Sequence, residues 1–310
     1  MSDDHALHDK LLDFRNNSDI LKEVKLITAL INPQFDFHFL DQAFADIEKL
    51  FRGQYKGFRA CNTHYHDLRH TLTVFLAMAR LLHGAYLQGI KFTGKEINIG
   101  LLCALMHDAG YIQSDEDHAG TGAKYTLVHI HRSSKFMQEY CSAVDYFKND
   151  IKNFDDILNC TGLNIDIEKI KFASPITEMM GKILGTADLL GQMADRFYLE
   201  KLIFLFREFA EAKVPGFESE IDLLQKTVNF YNVILARLEN MLGNVNQYMV
   251  HHFRSRWNIE KNLYEEAMKK NIDYLKFILK DNDKNLNVYL RRNAIKLINY
   301  DTGRPCRIPD

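Results

Sequence analysis

Apolar residues recur at three- and four-residue intervals along most of this chain, the period that buries one face of a helix. Only 5 prolines and 16 glycines interrupt that pattern. It predicts helices over about 19–31, 36–52, 66–88, 94–109, 121–146, 150–160, 175–191, 194–213, 217–242 and 257–281. The fold class expected is therefore all-α, a multi-helix bundle. Ser174-Pro175 is a start signal, an N-cap hydroxyl followed by proline at the first helical position. Gly110 reads as a stop, with glycine taking the left-handed conformation that closes many helices.

The sharpest break in composition is Pro215-Gly216, and no internal repeat is evident. Residues 1–60 read as N-terminal helices packed on a core, 61–214 as the core itself and 215–310 as a helical extension. In that extension Glu260, Lys261, Glu265, Glu266, Lys269 and Lys270 are spaced for a solvated helix face. It carries no recognisable chemistry, and packing on the core, covering the site and forming a homodimer interface all suit it.

A hydrophobic content of 46% beside 26% charged residues is enough to bury a sizeable core in 310 residues. The net charge of −2 argues against a nucleic-acid partner, since tracking phosphates needs a basic excess. Val74 to Ala79 and Gly100 to Met106 fall far short of the roughly 18 apolar residues of a membrane span. No secretory signal follows the polar start Met1-Ser2-Asp3-Asp4-His5. Cys61, Cys103, Cys141, Cys160 and Cys306 are odd in number and form no Cys-x-x-Cys pair, so they read as reduced thiols and the expected compartment is the cytoplasm.

Candidate chemistry concentrates in helical, otherwise apolar segments. His66 and His70 stand at i and i+4 and would share one helix face, a spacing that suits a structural pair as well as two metal ligands. His107-Asp108 ends the all-round apolar run Gly100 to Met106, where a buried carboxylate is costly unless paired or metal-bound. The negative end of the helix dipole favours a cation there. Asp188 lies on the helix begun by Pro175, in line with Gly181 and Gly185, whose small size admits a close neighbour. Tyr125, His129 and Arg132 fall on one face of the predicted 121–146 helix, offering a further ligand and a phosphate fork, or merely a structural pair. The acidic run Asp115-Glu116-Asp117-His118 is a weaker ligand source and Cys61 a bland thiol.

The order His, His-Asp, distant Asp resembles the HD superfamily of metal-dependent phosphohydrolases, and the wording is closest to the cyclic nucleotide phosphodiesterase class. Tyr65-His66-Asp67-Leu68-Arg69-His70, Ala104-Leu105-Met106-His107-Asp108 and Thr186-Ala187-Asp188-Leu189 carry the likeness, over residues 62–200. It implies that His70, His107, Asp108 and Asp188 hold one divalent metal, that Asp108 bridges to a second, and that His66 gives a proton to the leaving oxygen. Three positions depart from the pattern: Asp67 replaces an asparagine, Thr73 an aspartate and Ile112 a histidine.

The expected activity is thus hydrolysis of a small phosphorylated molecule, a phosphodiester or nucleotide, with one or two ions among Mg, Mn, Fe, Ni, Co and Zn. His66 and Asp108 are the expected catalytic pair, with His129 as a second-metal ligand and Arg132 as a phosphate contact. The alternatives are a di-iron oxygenase, which needs extra histidines at the second ion, and a silent binding module.

Overall fold

A computed structural model describes residues 11–280, apart from Asp13, Arg15 and Ala143. The start of the chain and Cys306, both read above, lie outside the described residues. Among these residues there are eleven α-helices and no strand. They are α1 (Asn17–Ile31), α2 (His38–Phe51), α3 (Leu68–Leu87), α4 (Gly94–Met106), α5 (His129–Ser142) and α6 (Phe154–Asn159). There follow α7 (Pro175–Met193), α8 (Tyr198–Glu211), α9 (Glu220–Asn240), α10 (Tyr248–Trp257) and α11 (Leu263–Leu279).

Helix α3 is the axis of the bundle. It is buried on nearly every face, and α1, α4, α7 and α10 pack around it. Close approach needs a small residue at the crossing with α10: a Cβ on Gly84 would stand 1.9 Å from the Tyr248 carbonyl oxygen. On α7, Gly181 and Gly185 admit Cys160, as the small-residue face predicts. The buried apolar side chains form one cluster running from Leu11 to Ile278. Helices α10 and α11 pack on α3 and α7, so the described part of the last third lies against the core.

Several boundaries differ from the periodicity, each for a local reason. The first residue of α3 is Leu68, because the Asp67 carboxylate accepts from His70 N at 2.8 Å and caps the helix. His66 therefore precedes the helix instead of sharing a face with His70. The predicted 121–146 helix is a 3-10 turn (Gly122–Tyr125), then α5, then a second 3-10 turn (Asp145–Phe147). The Thr121 side chain caps the first turn and Thr126 Oγ1 bonds back to Ala123 O at 2.7 Å, closing it. Tyr125 thus lies outside the helix that carries His129 and Arg132. Helix α10 was not foreseen, and α11 starts at Leu263 rather than near 257. Asn244 (φ 58°) and Asn258 (φ 56°) supply left-handed breaks on either side of α10, and Asn262 caps α11.

Buried polar groups tie the late helices to α3. Arg80 is fully buried and donates to Tyr264 Oη at 2.8 Å and Leu11 O at 2.7 Å. His83 on α3 meets His252 on α10 with Nδ1 atoms 3.0 Å apart, so one ring donates and the other accepts. Burial and then the Arg256 charge push His83 down to about 4. Burial, with Arg80, His83 and Arg256, holds His252 well below the usual imidazole range. A depressed histidine stabilises the fold fully above the unfolded value near 6.5 and loses that contribution as pH falls toward its folded value. Denaturant titrations should show stability falling from pH 6.5 to 4, part of the fall being due to this pair. The double variant His83→Asn/His252→Asn should show a shallower fall. Identical slopes would remove the pair from the acid response.

Candidate metal centre

Three ligand-type side chains, His70, His107 and Asp108, meet at one buried point, and Asp188 on α7 stands beside them. His70 Nε2 lies 3.2 Å from Asp108 Oδ2 and 3.3 Å from Asp188 Oδ1. His107 Nε2 lies 3.2 Å from Asp108 Oδ2, 3.8 Å from Asp188 Oδ1 and 3.3 Å from His70 Nε2. The ligand atoms of His70, His107 and Asp108 all fall within 4.8 Å of one another, and all three residues are buried. Atoms coordinated at about 2.1 Å to one ion stand roughly 3.0 to 3.4 Å apart, which is the spacing seen among His70, His107 and Asp108. Asp108 Oδ2 has no hydrogen-bond partner despite two imidazole nitrogens at 3.2 Å. Short separations without bonding direction suit lone pairs aimed at a common cation, so the residues present fit a divalent ion.

Local structure explains why these side chains converge. His70 sits in the first turn of α3, behind the Asp67 cap, and Lys201 on α8 holds Asp67 at 3.0 Å. The last residue of α4 is Met106, leaving His107 as its C-cap; Asp108 follows at φ −107°. Leaving the helix frees the Asp108 carboxylate from the 100° offset between neighbours, so both side chains reach the same point. His107 Nδ1 donates to Ala104 O at 2.9 Å, which turns Nε2 to the cluster. Gly110 is not the left-handed stop that its position suggested. It lies in the 3-10 turn Ala109–Tyr111, where α5 comes so near that a Cβ would stand 2.0 Å from His129 O.

The electrostatics follow from burying both signs together. Burial works against the His70 imidazolium, but the adjoining Asp108 and Asp188 carboxylates outweigh it and push the ring up to about 10. Burial likewise opposes charge on His107, and Asp108 again raises it. For Asp108, burial favours the neutral acid, yet His107 and His70 hold the carboxyl well below its usual range. A divalent ion held by these residues would take the place of the protons on the two imidazoles.

The other sequence-derived candidates divide. His129 joins the edge of the cluster, with Nε2 3.9 Å from Asp108 Oδ1, the oxygen turned away from His70. Its Nδ1 donates to Thr126 O at 2.6 Å, and burial pushes the ring below the usual imidazole range, leaving a neutral nitrogen toward the site. Arg132 is not directed at the cluster: its fork donates to Gly110 O at 2.7 Å and Ile112 O at 2.9 Å while lying over the Tyr125 ring. Asp117 is bound by Lys124 and Tyr125, and His118 is exposed, so the acidic loop stays apart. Cys61 is half-buried, its thiol 3.2 Å from Thr63 Oγ1.

His66 reaches the rim from the loop before α3, where its Nδ1 donates to Glu208 Oε2 at 2.6 Å. Glu208 Oε1 also accepts from His64 N at 2.8 Å and Tyr65 N at 2.7 Å, so one buried carboxylate shapes the loop and aims the ring. Tyr111 stacks on His66 at 4.3 Å between centroids, its hydroxyl 3.5 Å from Nε2. Gln192, one turn after Asp188, links that residue to Tyr65 Oη. Sequence reasoning missed Glu208, Tyr111 and Gln192. Only Glu208 left a trace, as an acidic residue that stands with Arg207 between Phe206 and Phe209.

A family model described as Npun_R2479-like matches residues 54–271, more than two thirds of the 310-residue chain and every residue of this site. No curated protein matches the chain.

Saturating divalent cation should raise the melting temperature of chelator-treated protein, because only the folded state assembles the ligands; about 2.7 kcal/mol is expected at a hundred times Kd. Asp108→Ala should show no gain. A variant stabilised as strongly as the parent would place the ion elsewhere.

Proposed function

The chain belongs to the Npun_R2479-like family, and we propose that this member is a metal-dependent hydrolase of small phosphate esters, a phosphodiester or nucleotide. The observation that carries the reading is the oriented pair His66–Glu208 at the rim of the His70, His107, Asp108 and Asp188 cluster. The motif likeness to HD-type phosphohydrolases supports it. Asp188, His66 and His129 keep side-chain exposures of 13%, 15% and 20%, against 4% or less for His70, His107 and Asp108, which defines the side that a substrate meets.

When bound, a divalent cation lowers the pKa of a water and offsets charge on phosphate oxygens. His70, His107, Asp108 and Asp188 would hold it, and the outer oxygen of Asp108 with His129 offers a neighbouring position for a second. The work of the chain itself falls to the rim. Glu208 accepts from His66 Nδ1, so the opposite nitrogen, Nε2, faces the substrate side; with both ring nitrogens protonated, Nε2 passes its proton to the departing alkoxide and the ring is left as the neutral Nδ1–H tautomer. Tyr111 keeps the ring plane by stacking and leaves its hydroxyl beside Nε2. Glu208 is in this scheme a positioning residue, and His66 the catalytic one.

The dinuclear oxygenase reading draws on His129 among the extra histidines it needs, since His118 is exposed. Purified protein with Mg, Mn, Fe, Ni or Co should hydrolyse at least one member of a panel of cyclic nucleotides, cyclic dinucleotides, nucleotides and a generic phosphodiester. His66→Ala should keep its metal and lose roughly 10²- to 10⁴-fold in kcat. Glu208→Gln should lower kcat less and alter the pH profile. Full turnover by His66→Ala would end its role as proton donor, and oxygen-dependent turnover by an iron-loaded protein would replace hydrolysis.

A further inference from the structure

Asp188 is the loosest member of the metal centre. Its Oδ1 lies 3.3 Å from His70 Nε2 but 3.8 Å from His107 Nε2, and its side chain keeps 13% exposure where those of His70, His107 and Asp108 keep 4% or less. His107 has the Ala104 carbonyl behind its ring, whereas Asp188 takes its direction from a side chain one turn further along α7. Gln192 Nε2 donates to Asp188 Oδ1 at 3.4 Å, on the same oxygen that faces the histidines.

The Gln192 amide has one favourable orientation. Its Oε1 accepts from Tyr65 Oη at 2.7 Å, and a flipped amide would set its oxygen against the Asp188 carboxylate, acceptor against acceptor. Burial holds the Tyr65 phenol well above its usual range, so it stays a donor. Tyr65 is anchored in turn, since its backbone N donates to Glu208 Oε1 at 2.7 Å and its ring meets His66 edge-on at 4.9 Å between centroids. A phenol, an amide and a carboxylate thus form one line of hydrogen bonds from the His66 loop to the metal centre.

We propose that Tyr65 and Gln192 are positioning residues that deliver Asp188 Oδ1 to the cation as its fourth protein ligand. To share an ion with His107, Oδ1 closes from 3.8 Å toward the roughly 3.0 to 3.4 Å that separates atoms on one ion. Gln192 limits how the carboxylate can turn while it does so, and Tyr65 keeps the amide donor, not its oxygen, toward Asp188. Outer partners that orient a ligand in this way are worth roughly 10- to 100-fold in metal affinity. The inference rests on the metal centre of the reading above and does not need the hydrolytic step.

Calorimetric titration of the full-length, chelator-treated protein with Mn tests it by binding rather than turnover. Tyr65→Phe removes one oxygen, and Gln192→Met keeps the side-chain length without the amide. Melting temperatures close to the parent's before Mn is added show that the variants fold, and either one carries the test if the other does not. Each should weaken Mn binding roughly 10- to 100-fold. The double variant should lose no more than Gln192→Met alone, because the phenol acts through the amide. In an Asp188→Ala background, whose own affinity is already lowered, neither substitution should change Mn binding further, whereas a general loosening of the core would still weaken it. Parent-like affinity in both variants, or the same loss recurring in the Asp188→Ala background, would overturn the inference and leave the metal centre standing. A parent that binds no Mn would overturn both.

Discussion

A carboxylate buried between two buried imidazoles is the constraint on which the rest of this molecule depends. Asp108 sits at the end of an apolar helix with almost no access to water, where an unpaired charge would cost several kcal/mol. His70 and His107 compensate it, and each comes from a different helix, so the compensation fixes how α3 and α4 meet. Asp188 extends the arrangement to α7. Where one charge pattern binds three helices, loss of any member leaves the others uncompensated, and the site and the core cannot be separated energetically.

Precision in this cluster comes from backbone carbonyls and caps more than from the ligands themselves. Asp67 starts α3 so that His70 lies in its first turn, Ala104 and Thr126 fix the outward nitrogens of His107 and His129, and Glu208 holds the loop bearing His66. Outer partners of this kind fix ring orientation and tautomer in metal sites. Helix α8 provides both Glu208 and Lys201, which makes it the support for the rim although none of its residues reaches the cluster. The close approach of α5 at Gly110 does the same for His129. A bundle whose helices meet at small residues is rigid enough to keep such distances.

The all-helical fold was legible because apolar spacing is local and strong, and the cluster because its residues stand in short, ordered motifs. Legibility ended where tertiary contact decided the outcome. His66 and His70 have the spacing of one helix face, yet the capping carboxylate of Asp67 lies between them and divides loop from helix. Gly110 has the sequence of a helix stop, but the pressure of His129 O from another helix is why it must be glycine. Arg132 has the donors of a phosphate fork and satisfies them on the carbonyls of the turn that follows Asp108. Helix α10 was invisible because its breaks are asparagines in left-handed conformations, which sequence does not distinguish from ordinary polar positions. Glu208 stands more than 140 positions from the histidine that it orients, and no local pattern links the two.

Taken together, the geometry points to one place for a divalent cation, among His70 Nε2, His107 Nε2 and Asp108 Oδ2, with Asp188 Oδ1 beside them. The measurement that tests this most directly is anomalous diffraction from crystals equilibrated with Mn, collected on both sides of the metal's absorption edge. The account predicts a strong edge-dependent peak about 2.0 to 2.2 Å from the atoms of His70, His107 and Asp108. A map with no such peak there, or with the metal bound only by exposed carboxylates elsewhere, would contradict it.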